Sequence, residues 1–264
     1  MDRNIQKIHF KASNAKKAQE AYDKFVKIYG NSTSEEADVI VVLGGDGFML
    51  QSFHQSKEYD KPIYGMNCGS VGFLMNEYCI ENLVERLSVA VECTFHPLKM
   101  TVFDYDNSIC AENILAINEV SIIRKPGQNQ LVQAAKLEVK VDDQVRLPEL
   151  VCDGLVVSTP IGSTAYNFSA LGPILPLESR HLLLTPVSPF KPRRWHGAIL
   201  PNDVMIEIQV LEHKQRPVIA TADRLAIEPV SRINVTQSSD ITMRILSDSH
   251  RSWSDRILTA QFSS

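Results

Sequence analysis

A carboxylate flanked by glycines, Gly44-Gly45-Asp46-Gly47, follows directly on the apolar run Val39-Ile40-Val41-Val42-Leu43. The β-branched run reads as a buried strand of a parallel sheet. Glycines let a backbone turn tightly and let a ligand approach the main chain, because no Cβ intervenes. Residues 48–55 have helical spacing, so the turn opens onto a helix N-terminus. Unpaired N–H groups and the macrodipole favour phosphate there. Asp46 would repel a bare phosphate. Two roles fit it: contacting a phosphate-bound cation, or taking a proton from a hydroxyl that attacks phosphorus. The stretch lacks the Lys and Ser/Thr of a Walker loop and the G-x-G-x-x-G of a dinucleotide fingerprint. A surface strand-to-helix turn capped by Asp46 is the plain structural alternative.

Two more polar groupings lie downstream. Asn118-Glu119 interrupts the apolar span 114–123. Neighbours on a strand point to opposite faces, so at least one should face the interior or a cleft. An amide beside a carboxylate suits a base edge and a ribose diol; a water-facing hairpin edge is the alternative. Asp153-Gly154 alone is a hairpin-turn signal. It leads, however, through Leu155-Val156-Val157-Ser158 into Thr159-Pro160-Ile161-Gly162-Ser163-Thr164-Ala165-Tyr166, with Asn167 and Ser169 close behind. Such a density of hydroxyls on a loop suits a polyhydroxylated, phosphate-bearing ligand.

The elements around these groups fall into two textures. Up to about residue 97, strands and helices alternate: a strand near 7–10, a helix capped by Asn14 and stopped at Gly30, the strand at 39, and a helix with Phe48 packed into the core. A strand at 62–67 follows, then a second glycine-rich turn, Gly69-Ser70-Val71-Gly72-Phe73, and a helix carrying Ile80, Leu83, Val84 and Leu87 on one stripe. That alternation predicts an open, mostly parallel sheet. Beyond His96-Pro97, short β-prone runs dominate, at 100–105, 114–123, 137–141, 155–158, 204–211, 217–220 and 241–246. Turn signals such as Asp106-Asn107, Lys125-Pro126-Gly127 and Asp142-Asp143 separate them, which predicts a β-sandwich of about seven to nine strands. The expected division is an N-terminal α/β domain at 1–97, completed by a tail at about 247–264 with Ile257 and Leu258 buried, and a C-terminal β-sandwich domain at 98–246.

Composition excludes several classes. The 264 residues are 44% hydrophobic and 22% charged with a net charge of -4, so no nucleic-acid scaffold is indicated. A basic cluster of Lys191, Arg193, Arg194 and His196 around Trp195 reads as a solvated loop. Five scattered cysteines without a C-x-x-C pair suggest neither zinc nor a disulfide framework. No signal peptide or membrane-length apolar run is visible, and a cytoplasmic location is expected.

Together, G-G-D-G at 44–47, N-E at 118–119, D-G at 153–154 and T-P-x-G-S-T-A-Y at 159–166 resemble the bacterial type of the NAD kinase family. Gly172-Pro173-Ile174 and the segment 184–189 resemble its later portions, and the match spans roughly 38–224. The long threonine-to-tyrosine motif carries most of the specificity, since G-G-D-G is shared with diacylglycerol and sphingosine kinases. The resemblance implies an N-terminal α/β domain, a C-terminal β-sandwich and a site in the cleft between them. It also implies transfer of the γ-phosphoryl group of ATP, or of polyphosphate, to the 2′-hydroxyl of the adenosine ribose of NAD. Asp46 would be the general base and Gly44, Gly45 and Gly47 the phosphate-facing turn. Asn118 and Glu119 would hold the adenosine. Asp153, Ser163, Thr164, Ala165, Tyr166, Asn167, Ser169, Val187 and Asp223 would line the rest of the dinucleotide site. Mg²⁺ or another divalent metal would come with ATP, no protein metal cage is implied, and a homo-oligomer, a tetramer, is the family expectation. Departures are Phe48 in place of the usual Thr, Leu171-Gly172 for a glycine pair, Leu175-Pro176 for His-Pro, and Leu150-Val151 where a basic residue is common. A lipid kinase sharing G-G-D-G and a non-catalytic NADP(H)-binding regulator are the competing readings.

Overall fold

The computed structural model describes residues 3–56, 60–69, 72–126, 133–250 and 253–262. Of the predicted turns, Ser70, Val71 and Gly127 lie outside the described residues. The chain divides into two compact units, Met1–Phe95 with Ile241–Ser264, and His96–Asp240.

The first unit opens with β1 (Ile8–Ala12), α1 (Lys16–Tyr29), β2 (Val39–Gly44), α2 (Asp46–Ser56), β3 (Ile63–Asn67), α3 (Leu83–Ser88) and β4 (Val91–Phe95). Every residue of β2 is buried, as a central strand covered on both faces requires. α1 starts after Ala15 with no side-chain cap, so the predicted Asn14 cap is not made. It stops as expected at Gly30, whose φ of 73° is left-handed and whose N–H returns to the Val26 carbonyl. The predicted stripe on α3 is shorter than expected. Asn82, left-handed at φ 54°, delays the helix to Leu83, and Leu83 and Leu87 are buried while Val84 is exposed.

The second unit runs through β5 (Leu98–Phe103), β6 (Ile109–Ala116), β7 (Glu119–Arg124), β8 (Ala135–Val141), β9 (Gln144–Cys152) and β10 (Gly154–Ser158). A 3₁₀ turn (Ile161–Thr164) and α4 (Tyr166–Ser169) precede β11 (His181–Val187), β12 (Ala198–Pro201), β13 (Ile206–Val210), β14 (Val218–Ala222), β15 (Leu225–Ile227) and β16 (Arg232–Gln237). They form two six-stranded sheets, ordered β12-β11-β10-β7-β14-β15 and β6-β5-β16-β13-β8-β9. One core joins them, Val120, Ile122, Leu155, Val157 and Ala220 of the first with Leu98, Met100, Ile208 and Ile233 of the second. This is the predicted β-sandwich with more strands than expected. β9 escaped notice because Pro148 interrupts it, which a sheet edge tolerates.

The chain crosses between these sheets at the two polar groupings. β6 and β7, predicted as one strand over 114–123, belong to different sheets and are joined by Ile117-Asn118. Asp153 likewise passes the chain from β9 to β10, so Asp153-Gly154 is a sheet crossing and not a hairpin turn. Gly154 is required there: a Cβ on it would lie 2.6 Å from the Ile122 carbonyl oxygen.

Beyond Asp240 the chain re-enters the first unit as β17 (Met243–Ser247) and α5 (Trp253–Phe262). The first unit's sheet is ordered β1-β2-β3-β17-β4, with β17 parallel to β3 and antiparallel to β4. Residues 241–246, assigned from the sequence to the sandwich, therefore complete the α/β sheet. Alternating burial fits either sheet, and only the pairing partner distinguishes them. On α5, Ile257 is buried but Leu258 is exposed, contrary to expectation, and Arg251 lies outside the described residues.

Candidate active site

Asp46 is the first residue of α2, at the carboxyl end of β2. The buried stripe of that helix is Met49, Ser52, Phe53 and Ser56. Phe48 stands one position off it and is half-buried, its ring over Gly44, where an added Cβ would lie 3.1 Å away. The expectation that Phe48 enters the core is corrected accordingly. Gly44, Gly45 and Gly47 do not adopt positive φ, so left-handed geometry is not their reason. A Cβ on Gly45 would meet nothing within 4 Å, and the space beside its backbone is open.

Both oxygens of Asp46 are held by main chain. The Phe73 N–H donates to Oδ2 at 2.7 Å and the Leu74 N–H to Oδ1 at 3.0 Å. Gly72 permits this, because a Cβ there would sit 2.3 Å from Oδ1. Burial raises the pKa of the carboxyl above the ordinary range, opposed by the two N–H bonds and by the Arg256 guanidinium. A carboxylate so placed is fixed in direction and has a higher proton affinity than a free one, both of which suit a base. Gly72, Phe73, Leu74 and Arg256 were not picked from the sequence as site residues. The glycine-rich turn after β3 was the available signal for the first three.

In the second unit, the crossing at Ile117-Asn118 leaves three N–H groups without ladder partners, and Asp223 takes them. Its carboxylate accepts from Ile117 at 2.8 Å, Asn118 at 2.8 Å and, more weakly, Glu119 at 3.4 Å. Asp223 itself, left-handed at φ 49°, turns the chain from β14 to β15. Glu119 is half-buried and opposite Ser158 on central strand β7, which removes the exposed-hairpin alternative. Its pKa is pushed up to about 7 by burial, then by the Asp223 charge, against the Tyr166 N–H that it accepts. Neither Glu119 Oε2 nor Asn118 Oδ1, both buried, has a hydrogen-bond partner among the described residues. Unsatisfied buried acceptors need a donor from elsewhere, and a ligand's hydroxyls or amine can supply it.

The hydroxyl-rich loop folds onto this corner. Thr159 donates to the Ile117 carbonyl at 2.7 Å, and Gly162 passes so close that a Cβ would lie 2.1 Å from the Asn118 carbonyl oxygen. Ser163 and Asn167 are fully buried and serve the loop itself. Ser163 donates to Pro160 at 2.6 Å; Asn167 donates to Ser163 at 3.0 Å and Pro173 at 2.9 Å, and accepts from Thr185 at 2.7 Å. Thr164 and Ala165 are half-buried, Tyr166 and Ser169 exposed. Asp153 and Val187 lie at the opposite end of β10 from Glu119, and Asp153 pairs with Arg124 at 2.9 Å. Tyr166 spans that interval electrostatically, its phenol pKa raised by burial and by the charges of Glu119 and Asp153. Of the basic cluster, Lys191 pairs with Glu149 at 3.0 Å, in keeping with a solvated loop.

A family model described as the ATP-NAD kinase N-terminal domain matches residues 1–93, and one described as the ATP-NAD kinase C-terminal domain matches 117–246. The chain belongs to the ATP-NAD kinase family. It is 52% identical over 263 residues to an NAD kinase of Rhizobium meliloti (strain 1021), covering 100% of both chains. It is 51% identical over 255 residues to one of Brucella melitensis biotype 1, covering 97% of this chain and 96% of the relative. Among solved structures, yeast NADH kinase complexed with NADH superposes with a TM-score of 0.83 at 19% identity, covering 99% of this chain and 89% of that one. An NAD kinase from Archaeoglobus fulgidus in complex with ATP gives 0.73 at 22% identity, covering 97% and 98%. At those identities the likeness is one of fold. Among the described residues, no group of three or more His, Cys, Asp or Glu is placed to hold a metal ion.

Proposed function

We propose that this chain is an NAD kinase that moves the γ-phosphoryl group of ATP onto the 2′-hydroxyl of the adenosine ribose of NAD, forming NADP. The observation that carries the choice of base is Asp46, a carboxylate at a helix start, oriented by two N–H bonds and raised in proton affinity by burial. A ribose hydroxyl is a weak nucleophile at neutral pH. Asp46 accepts its proton as the oxygen attacks phosphorus, a role worth roughly 10²–10⁴-fold. Open space beside Gly45 admits phosphate oxygens to the α2 N-terminus. Asn118 Oδ1 and Glu119 Oε2 accept from the adenosine, while Tyr166, Thr164 and Ser169 offer a polar surface beside them. Asp223 works indirectly, by holding the Asn118-Glu119 corner.

Mg²⁺ belongs to this reading as part of the MgATP substrate, where phosphate and water oxygens fill most of its shell. The reading includes a homo-oligomer, a tetramer. Phe168 and Leu171 stand exposed around α4, Leu171 at 93%, as an interface between copies would need; light scattering tests it. No helix among the described residues is long and apolar enough to cross a membrane, and a cytoplasmic location, checked by fractionation, completes the proposal.

Incubation with Mg²⁺ and γ-labelled ATP, or labelled polyphosphate, tests donor and acceptor together. Label is expected on NAD and not on an analogue lacking only the adenosine 2′-hydroxyl. Label on the deoxy analogue would overturn the acceptor atom. Label on diacylglycerol or a sphingoid base but never on NAD would show a lipid kinase, and NADP(H) binding without turnover a regulator.

A further inference from the structure

Arg256 lies on α5, more than two hundred residues from Asp46 in sequence and in the same unit. It is 7% exposed, and its guanidinium carbon sits 4.4 Å from the centre of the Trp253 ring. Burying a guanidinium is costly unless its donors find acceptors. Here the Nη1 and Nη2 donors converge on one short loop. Nη1 donates to the Phe73 carbonyl at 3.0 Å and to the Met75 carbonyl at 3.1 Å, and Nη2 donates to Asn76 Oδ1 at 2.6 Å. Asn76 is in turn tied to the sheet through Gly65 and Leu246, each at 3.1 Å, and accepts the Asp248 N–H at 3.1 Å.

The Phe73 carbonyl and the Leu74 N–H belong to one peptide group. That group is planar, so fixing its oxygen fixes the direction of its N–H, and Leu74 aims that N–H at Asp46 Oδ1 from 3.0 Å. A cation on the carbonyl side also polarises the amide and strengthens the bond its N–H makes. The route from Arg256 to Asp46 is therefore a single peptide plane.

We propose that Arg256 is a positioning residue for the phosphoryl transfer, acting through the Phe73–Leu74 peptide to hold the Asp46 carboxylate in the direction that receives the substrate proton. This rests on the reading of Asp46 as the base. The Arg256 charge also opposes the upward push of burial on Asp46.

The test is a double-mutant cycle in the full-length protein, with kcat and the KM for NAD measured per folded molecule. Arg256→Met should lower kcat at least tenfold while KM changes less than twofold, and Arg256→Lys, which keeps the charge but not the fork, should recover part of the loss. In an Asp46→Asn background, Arg256→Met should change kcat less than twofold, since no base remains to be aimed. An equal fall in both backgrounds, or an unchanged kcat with Asp46 intact, overturns the proposal. If Arg256→Met does not fold, Arg256→Lys carries the cycle; failure of both to fold makes the residue structural and overturns it too. Asp46→Asn at the wild-type rate would sink the reading of Asp46 itself, whereas a slow Asp46→Asn beside a fast Arg256→Met removes the Arg256 role alone.

Discussion

A carboxylate acting only in the transition state leaves a distinct kinetic trace when its charge is removed. Asp46→Asn is expected to lower kcat and kcat/KM together, by roughly 10²–10⁴-fold, with calorimetric NAD binding little changed. Loss of binding with normal turnover of whatever binds would contradict it. Gly72→Ala tests the same carboxylate from outside. The new methyl would sit 2.3 Å from Oδ1, too close for both to stay, so Asp46 must swing away from the Phe73 and Leu74 N–H groups. kcat should fall at least tenfold, and wild-type turnover in a folded Gly72→Ala protein would show that the carboxylate does not need that clamp. Glu119 adds a pH signature. Its folded pKa of about 7 lies above the ordinary 4.5, so between those values the folded state keeps a proton that the unfolded state releases. Stability from this group is full at low pH and is lost as pH rises through 7. Glu119→Gln should therefore melt higher than wild type at pH 8, by an amount on the order of 1–3 kcal/mol, and level with it near pH 4. Parallel melting curves across that range would place Glu119 in water.

At the scale of elements, the Asn118-Glu119 corner of the second unit hangs on a sheet crossing held by a turn residue. Asp223→Ala removes the acceptor for the Ile117 and Asn118 N–H groups, and leaving buried donors unpaired costs about 1–3 kcal/mol. A lowered melting temperature and a raised KM for NAD should appear together; a raised KM at unchanged stability would mean that Asp223 touches the dinucleotide itself. This crossing also marks what the sequence could reveal. The β2–α2 junction was legible because its signals are local, a β-branched run, glycines and helical spacing. The break between β6 and β7 was not, since 114–123 alternates smoothly enough for one strand and only pairing partners separate the two. Asp153-Gly154 carried a strong turn signal that the sheets overrode. Arg256 was invisible, because nothing in an arginine on a short amphipathic helix announces an acceptor loop far away in sequence. Ser163 and Asn167 stood out in the sequence as ligand-facing members of a cluster of polar groups. Their hydrogen bonds close the loop, which composition alone could not distinguish from ligand contacts.

At the scale of the whole molecule, the first unit is discontinuous. Its sheet has no link between β3 and β4 until β17 enters between them. A chain ended at Asp240 should therefore lose the first unit's unfolding transition and its activity, while the sandwich core of 96–240, which takes nothing from β17, keeps its own transition. A single native-like transition for both units in the shortened chain would refute this. The same layout sets an order of events at the ribosome. The residues around Asp46 emerge before the sandwich, but the strand that completes their sheet and the arginine behind their loop are made only after it. The intervening 145 residues, 96 to 240 inclusive, take roughly 7–30 s to translate at typical rates of about 5–20 residues per second. Throughout that interval the first unit is a partner in waiting and the inserted sandwich can mature ahead of it. Catalytic competence thus arrives only after the sandwich and the returning segment have been made, so a chain terminated before residue 241 is born inert.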